Sequence, residues 1–175
     1  MTPVSPVPPF MFIDPGGLTD DDLRLALVDR QPADVSVWRE LAYLFHIMVC
    51  RTGERVGRLS LRVGHQEWTV LYNGHLGYAV DEPHRGHGYA ERAARLVLPL
   101  AARHGLAELW VTCGPDNPAS RRTIERLGGT YVETVDVPPD FPLPAGAVRQ
   151  KMRYRLAVPP SAAPSPPLGS RRQTG

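Results

Sequence analysis

The segment Pro83–Ala93, PHRGHGYAERA, constrains what this chain can fold into more than any other stretch. It follows GHLGYAVDE, in which Leu76, Tyr78 and Val80 alternate with His75, Gly77, Ala79 and Asp81 as strand residues do. It leads into GYAERAARLVLPLAARH, where Ala90, Ala93, Ala94, Val97 and Ala101 recur on one helical face. A strand therefore passes through two glycines directly into a helix. The N-terminus of such a helix offers unpaired N–H groups and about half a positive charge to an anion. Gly86 and Gly88 let a ligand approach backbone that a Cβ would screen. Pro99 should kink the helix near its end, and Gly105 is placed to cap it.

Upstream, TDDDLRLALVDR reads as a helix. Thr19 and Asp22 resemble a capping box, and Leu23, Leu27 and Val28 recur at helical spacing. DVSVWRELA reads as a second short helix, and YLFHIMVC as a strand apolar on both faces, hence central. ERVGRLSLRV sets Leu59, Leu61 and Val63 against Arg58, Ser60 and Arg62, the pattern of a half-solvated strand. Downstream come a buried strand AELWVTC, a helix DNPASRRTIERLGG, and strands TYVETVDV and GAVRQKMRYRLAV. A meander followed by strand–helix–strand units implies an α/β domain, a mixed sheet covered by helices.

The chain's 175 residues suit one domain, spanning 10–158. Its nineteen prolines concentrate at the ends, so residues 1–9 and 159–175 are expected to be mobile tails, with an SH3-type ligand as the other reading. A formal net charge of +2 gives no electrostatic argument for nucleic acid. No apolar run suits a membrane span, and MTPVSPVPPF lacks the basic-then-apolar order expected of a signal peptide. Cys50 and Cys113, far apart in sequence, fit two free thiols in a reduced cytoplasmic protein.

The glycine loop admits several chemistries. A dinucleotide fingerprint needs a third glycine where Glu91 stands, and a phosphate loop of the Walker type needs a Gly-Lys-Ser/Thr that is absent. His84 and His87 with His75 are a possible metal set, but no further ligand at suitable spacing completes it. The remaining pattern, Arg85, Gly88 and Ala90 as R-x-x-G-x-A, resembles the acyl-CoA pyrophosphate loop of the GNAT superfamily of N-acetyltransferases. VTCGPDNPASRRTIERLGGTYVE strengthens the resemblance, with Asn117-x-x-Ser120 after a strand and Gly128-Gly129 before the next.

The resemblance implies a GNAT fold, a mostly antiparallel sheet splayed at the cofactor site with helices on both faces. It implies transfer of acetyl from acetyl-CoA, as cosubstrate and without a metal, to a primary amine in a ternary complex. Main-chain groups at Ala79, Val80 and Asp81 would bind the pantetheine arm, and Val80 N–H would meet the oxyanion. Amides of Arg85, Gly86, His87, Gly88, Tyr89 and Ala90 would cradle the pyrophosphate. Asn117 and Ser120 would reach the cofactor, or simply cap a helix. Arg121 and Arg122 are candidates for the 3′-phosphate.

A lysine-like amine at pH 7 costs about 4.6 kcal/mol to deprotonate. His75 stands where the family often has a glutamate base, with a structural histidine as the other reading and Asp81 or Glu82 as alternatives. Ile124 occupies the position of the family's frequent tyrosine acid, so thiolate leaves unassisted or by another donor. Transfer of another acyl group, or a silent acyl-CoA-binding module, remains open beside N-acetylation, as does a homodimer.

Overall fold

The computed structural model describes residues 10–160; the expected N-terminal tail and nearly all of the C-terminal one lie outside the described residues. The elements run β1 (Leu18–Asp20), β2 (Leu23–Gln31), β3 (Ala42–Val49), β4 (Arg55–Arg62), β5 (Leu76–Val80), α1 (Tyr89–Arg103), β6 (Glu108–Cys113), α2 (Pro118–Arg126), β7 (Thr130–Asp136) and β8 (Gln150–Ala157). Five strands form one sheet in the order β1-β2-β3-β4-β5, and three form a second, β6-β8-β7. Every ladder is antiparallel.

The segment expected to open with a helix is a hairpin. Leu23, Leu25 and Leu27 alternate with Arg24, Ala26 and Val28, and this period of two prevails once β3 offers a pairing edge. Asp21 takes the left-handed conformation (φ 51°) in the β1–β2 turn, which an aspartate tolerates. The acids do not cap a helix. They hold Arg92 of α1, whose Nε donates to Asp20 Oδ2 at 2.8 Å and whose Nη2 donates to Asp22 Oδ1 at 2.8 Å. The second expected helix is one 3₁₀ turn, Val35–Val37, capped by Asp34. β3 lies at the centre of its sheet, as its apolar sequence requires.

α1 buries Ala93, Ala94, Val97, Leu98, Leu100 and Ala101, and its stripe packs with Leu25, Phe45, Leu59 and Leu76 from one face of the larger sheet. Pro99 lies on its exposed side, and the helix continues through it to Arg103. Helices on both faces were expected; on the larger sheet α1 covers one. The other face, carrying Arg24, His46, Arg58, Ser60 and Arg62, is exposed or half-exposed.

No ladder joins β5 to β6. The two sheets meet where His75 N donates to Trp110 O at 2.6 Å and Trp110 N donates to His75 Nδ1 at 2.9 Å. Beyond this pin the facing edges of β5 and β6 are unpaired.

Candidate active site

The register of β5 decides which of its backbone groups face the opening. Antiparallel partners alternate between pairs that exchange both hydrogen bonds and pairs that exchange none. Arg62 N donates to His75 O at 2.7 Å, and Asp81 N donates to Val56 O at 2.9 Å. With partners Ser60↔Gly77 and Arg58↔Ala79, these bonds place His75, Gly77, Ala79 and Asp81 in the bonded set. The amides and carbonyls of Gly77 and Ala79 turn toward β4, as do the His75 carbonyl and the Asp81 amide. Those of Leu76, Tyr78 and Val80 turn the other way, to the free edge. The three sequence candidates therefore separate: the Val80 amide faces the opening, whereas the main chain of Ala79 and the amide of Asp81 are committed to β4 and Asp81 O accepts from His84 N at 2.9 Å. Tyr78, not singled out from sequence, presents its amide and carbonyl to the gap.

The loop after β5 is anchored by two adjacent side chains. Arg85 Nε donates to Val80 O at 3.2 Å, and His84 Nε2 lies 3.3 Å from Glu54 Oε1. Gly86 (φ 84°) and Gly88 (φ 74°) are left-handed, with open space where a Cβ would stand. Gly88 occupies the N-cap position of α1 and brings no capping side chain; the first helical bond runs from Arg92 N to Gly88 O. Among the described residues no acceptor meets the amides of Gly86, His87, Gly88, Tyr89, Ala90 or Glu91. His87 Nδ1 bonds His84 O at 3.1 Å and its ring stacks on Tyr89, so both side chains shape the outer wall of the loop.

Across the opening, Asn117 caps α2, its Oδ1 accepting from Ser120 N at 3.0 Å. The capping reading thus accounts for that oxygen. Ser120 Oγ lies 3.0 Å from Tyr78 Oη, a hydroxyl pair that spans from β5 to α2. Burial pushes the Tyr78 phenol up to about 12. Ile124, where a tyrosine acid was looked for, is fully buried.

His75 is fully buried and serves as the pin between the sheets. Because Nδ1 accepts the Trp110 amide, the ring's proton resides on Nε2 (the neutral tautomer), which points into the interior beside the Gly64 backbone. Burial, with the His65 ring close by, pulls its pKa down to about 4. Its one basic nitrogen is already occupied. Cys113 is buried, and burial raises its thiol; Cys50 is exposed.

On the face away from α1 a cleft of about 420 Å³ reaches β5 at Gly77–Ala79. Leu44, His46, Arg58, Ser60 and Arg62 line it. His46, Arg58 and Ala79 stand in one cross-strand row, which sets His46 roughly 10 Å from β5. The spacings between these residues and Tyr78 or Ser120 carry no motif, so only the sheet register reveals them. Among the described residues no cluster of three metal-ligating side chains occurs, and no helix is long and apolar enough to cross a membrane.

A family model described as Acetyltransferase (GNAT) domain matches residues 10–130. Among curated proteins none matches the chain. Of solved structures, the ribosomal-protein-S5-alanine acetyltransferase of Vibrio fischeri superposes with TM-score 0.60 at 14% identity, over 81% of this chain and 96% of that one. RimL, a ribosomal L7/L12 alpha-N-protein acetyltransferase in complex with coenzyme A, gives 0.59 at 16% identity, over 81% and 98%. The microcin C7 self-immunity acetyltransferase MccE, in complex with acetyl-CoA and AMP, gives 0.53 at 18%, over 67% of this chain and 61% of that one. At these identities the likeness is one of fold.

Proposed function

We propose, from the premise that this chain belongs to the GNAT family of acetyltransferases, that it transfers the acetyl group of acetyl-CoA to a primary amine by direct attack. The observation that carries the reading is the free edge of β5, whose unspent Tyr78 main chain and Val80 amide lead to the row of unspent amides at α1. Pantetheine pairs with the Tyr78 edge, and amides from Gly86 to Ala90 with the Arg85 loop hold the pyrophosphate. Asn117 and Ser120 border the same gap from α2. The complexes of MccE with acetyl-CoA and RimL with coenzyme A support this choice of cosubstrate.

In the reaction, the amine lone pair attacks the thioester carbon and the oxyanion develops toward Val80 N–H. The C–S bond then breaks and coenzyme A leaves as thiolate. Tyr78 does not surrender its proton to that thiolate. A phenol at about 12 facing a thiol near 8.5 makes full transfer uphill by about 5 kcal/mol. The Tyr78–Ser120 pair acts instead as a hydrogen-bond donor to the departing sulfur. His75, neutral and pinned to Trp110, positions β5 against β6. The amine loses its proton to water in the open cleft, with His46 as the imidazole that faces it.

The neighbours named for ribosomal-protein acetylation support a protein or peptide N-terminus among the acceptors to screen. The test follows free thiol after acetyl-CoA is mixed with a panel of amines, alongside direct binding of acetyl-CoA. Thiol release dependent on an amine, with N-acetyl product by mass, is expected. Tight acetyl-CoA binding without release for any amine would instead indicate a silent acyl-CoA module.

A further inference from the structure

The cleft on the uncovered sheet face has a charge pattern that the transfer chemistry does not require. Arg58 and Arg62 line it together with His46, and no carboxylate does. Neither arginine forms an ion pair among the described residues. Arg62 Nη1 donates to Gly74 O at 3.1 Å, and its guanidinium lies across Gly77, where a Cβ would stand 3.3 Å from Nη1 and 3.5 Å from Nη2. The missing side chain of Gly77 thus seats the cation beside the free edge of β5. Glu40 is the nearest influence of opposite sign, makes no ion pair with Arg62, and its oxygens accept from Leu41 N and Thr69 Oγ1. A half-buried guanidinium with one carbonyl partner retains donors for an anion, and charges taken from water are ordinarily paired.

Spacing limits the size of what fits. Arg58 pairs in register with Ala79, one residue from Val80, and Arg62 lies over Gly77, three residues from it. Those positions span roughly 3 to 10 Å along the strand from the proposed point of attack. An extended dipeptide, about 7 Å long, falls within that range.

We infer, resting on the transferase reading above, that the acceptor is a small, dipeptide-sized primary amine carrying a carboxylate, which Arg62 and Arg58 hold while its amine faces Val80. The carboxylate supplies the counter-charge that the cleft lacks, and leaves the amino end free at the thioester.

The experiment compares glycylglycine with glycylglycine amide, by equilibrium binding in the presence of coenzyme A and by thiol release with acetyl-CoA. Expected is at least a tenfold preference for the free carboxylate in both readouts. Arg62→Gln and Arg58→Gln should each reduce that preference toward one, with acetyl-CoA affinity retained. The exposed Arg58 variant serves where loss of the Arg62–Gly74 bond disturbs folding. Thiol release without preference would overturn the inference and leave the transferase reading standing. A binding preference without thiol release would uphold the anionic subsite and overturn the transferase reading. Reaction confined to an acidic decapeptide, with no binding of glycylglycine, would overturn the small acceptor in favour of a macromolecular one.

Discussion

His75 shows how one side chain can be read correctly in type and differently in task. An imidazole near neutral pKa next to the cofactor strand suits proton transfer; buried and bonded to Trp110, it suits holding two sheets together. Its folded pKa of about 4 lies below the unfolded 6.5, so between these values the unfolded chain binds a proton that the native one refuses. Stability from this residue is fully present above pH 6.5 and is lost as pH falls toward 4. A melting curve series from pH 7.5 to 4.5 should show this decline, by up to about 3 kcal/mol. His75→Gln should flatten it and destabilise the fold at pH 7.5. If turnover fell while the stability profile kept its wild-type form, the pin would not be its role. For Tyr78→Phe we expect kcat to fall about tenfold with acetyl-CoA KM little changed. The lost hydroxyl pair should cost about 1 kcal/mol of stability. An unaltered kcat would remove Tyr78 from the departure of the thiolate.

At the scale of elements, β5 and the loop into α1 divide the backbone between structure and ligand. Ala79 and Asp81 spend their amides on β4, while Tyr78 and Val80 leave theirs at the edge. Amide hydrogen exchange should resolve this alternation. Adding acetyl-CoA should slow Tyr78 and Val80 strongly and leave Ala79 and Asp81, already protected, nearly unchanged. Equal protection of all four would contradict the register argument. Gly88→Glu should abolish acetyl-CoA binding, because it puts a carboxylate in the proposed pyrophosphate loop. Gly88→Ala is the control for backbone strain at φ 74°, expected to cost about 1 kcal/mol while retaining most affinity. Affinity preserved in the glutamate variant would remove the loop from the site.

The whole molecule is two antiparallel sheets held apart at one edge and joined at His75–Trp110, with α1 filling the angle on one side and the other side open. A ligand that touches β5, the α1 loop and α2 bridges both sheets. At a concentration one hundred times its Kd, acetyl-CoA should add about 2.7 kcal/mol to stability, read as a rise in Tm. The rise should be absent in Gly88→Glu.

The strand–glycine loop–helix junction was legible because its signals are local: φ above zero at two glycines, a period of two before them and a period of 3.6 after. The order of strands and helices after Ala42, and the family, follow from the same kind of signal. TDDDLRLALVDR was ambiguous for a physical reason. Its leucines satisfy both periods, and only pairing with β3 selects the strand, after which the acids bind Arg92 instead of capping a helix. Likewise, no spacing in the chain announces that Tyr78 meets Ser120 or that Arg62 lies over Gly77, since these contacts arise from register and from the divergence of β5 and β6. Sequence alone determined where a strand passes through two glycines into a helix N-terminus with unpaired amides. Tertiary structure decided which amides remain free for it, which histidine is buried, and which face of the sheet lies open, because hydrogen-bond direction alternates residue by residue and is fixed only when a partner strand is in place.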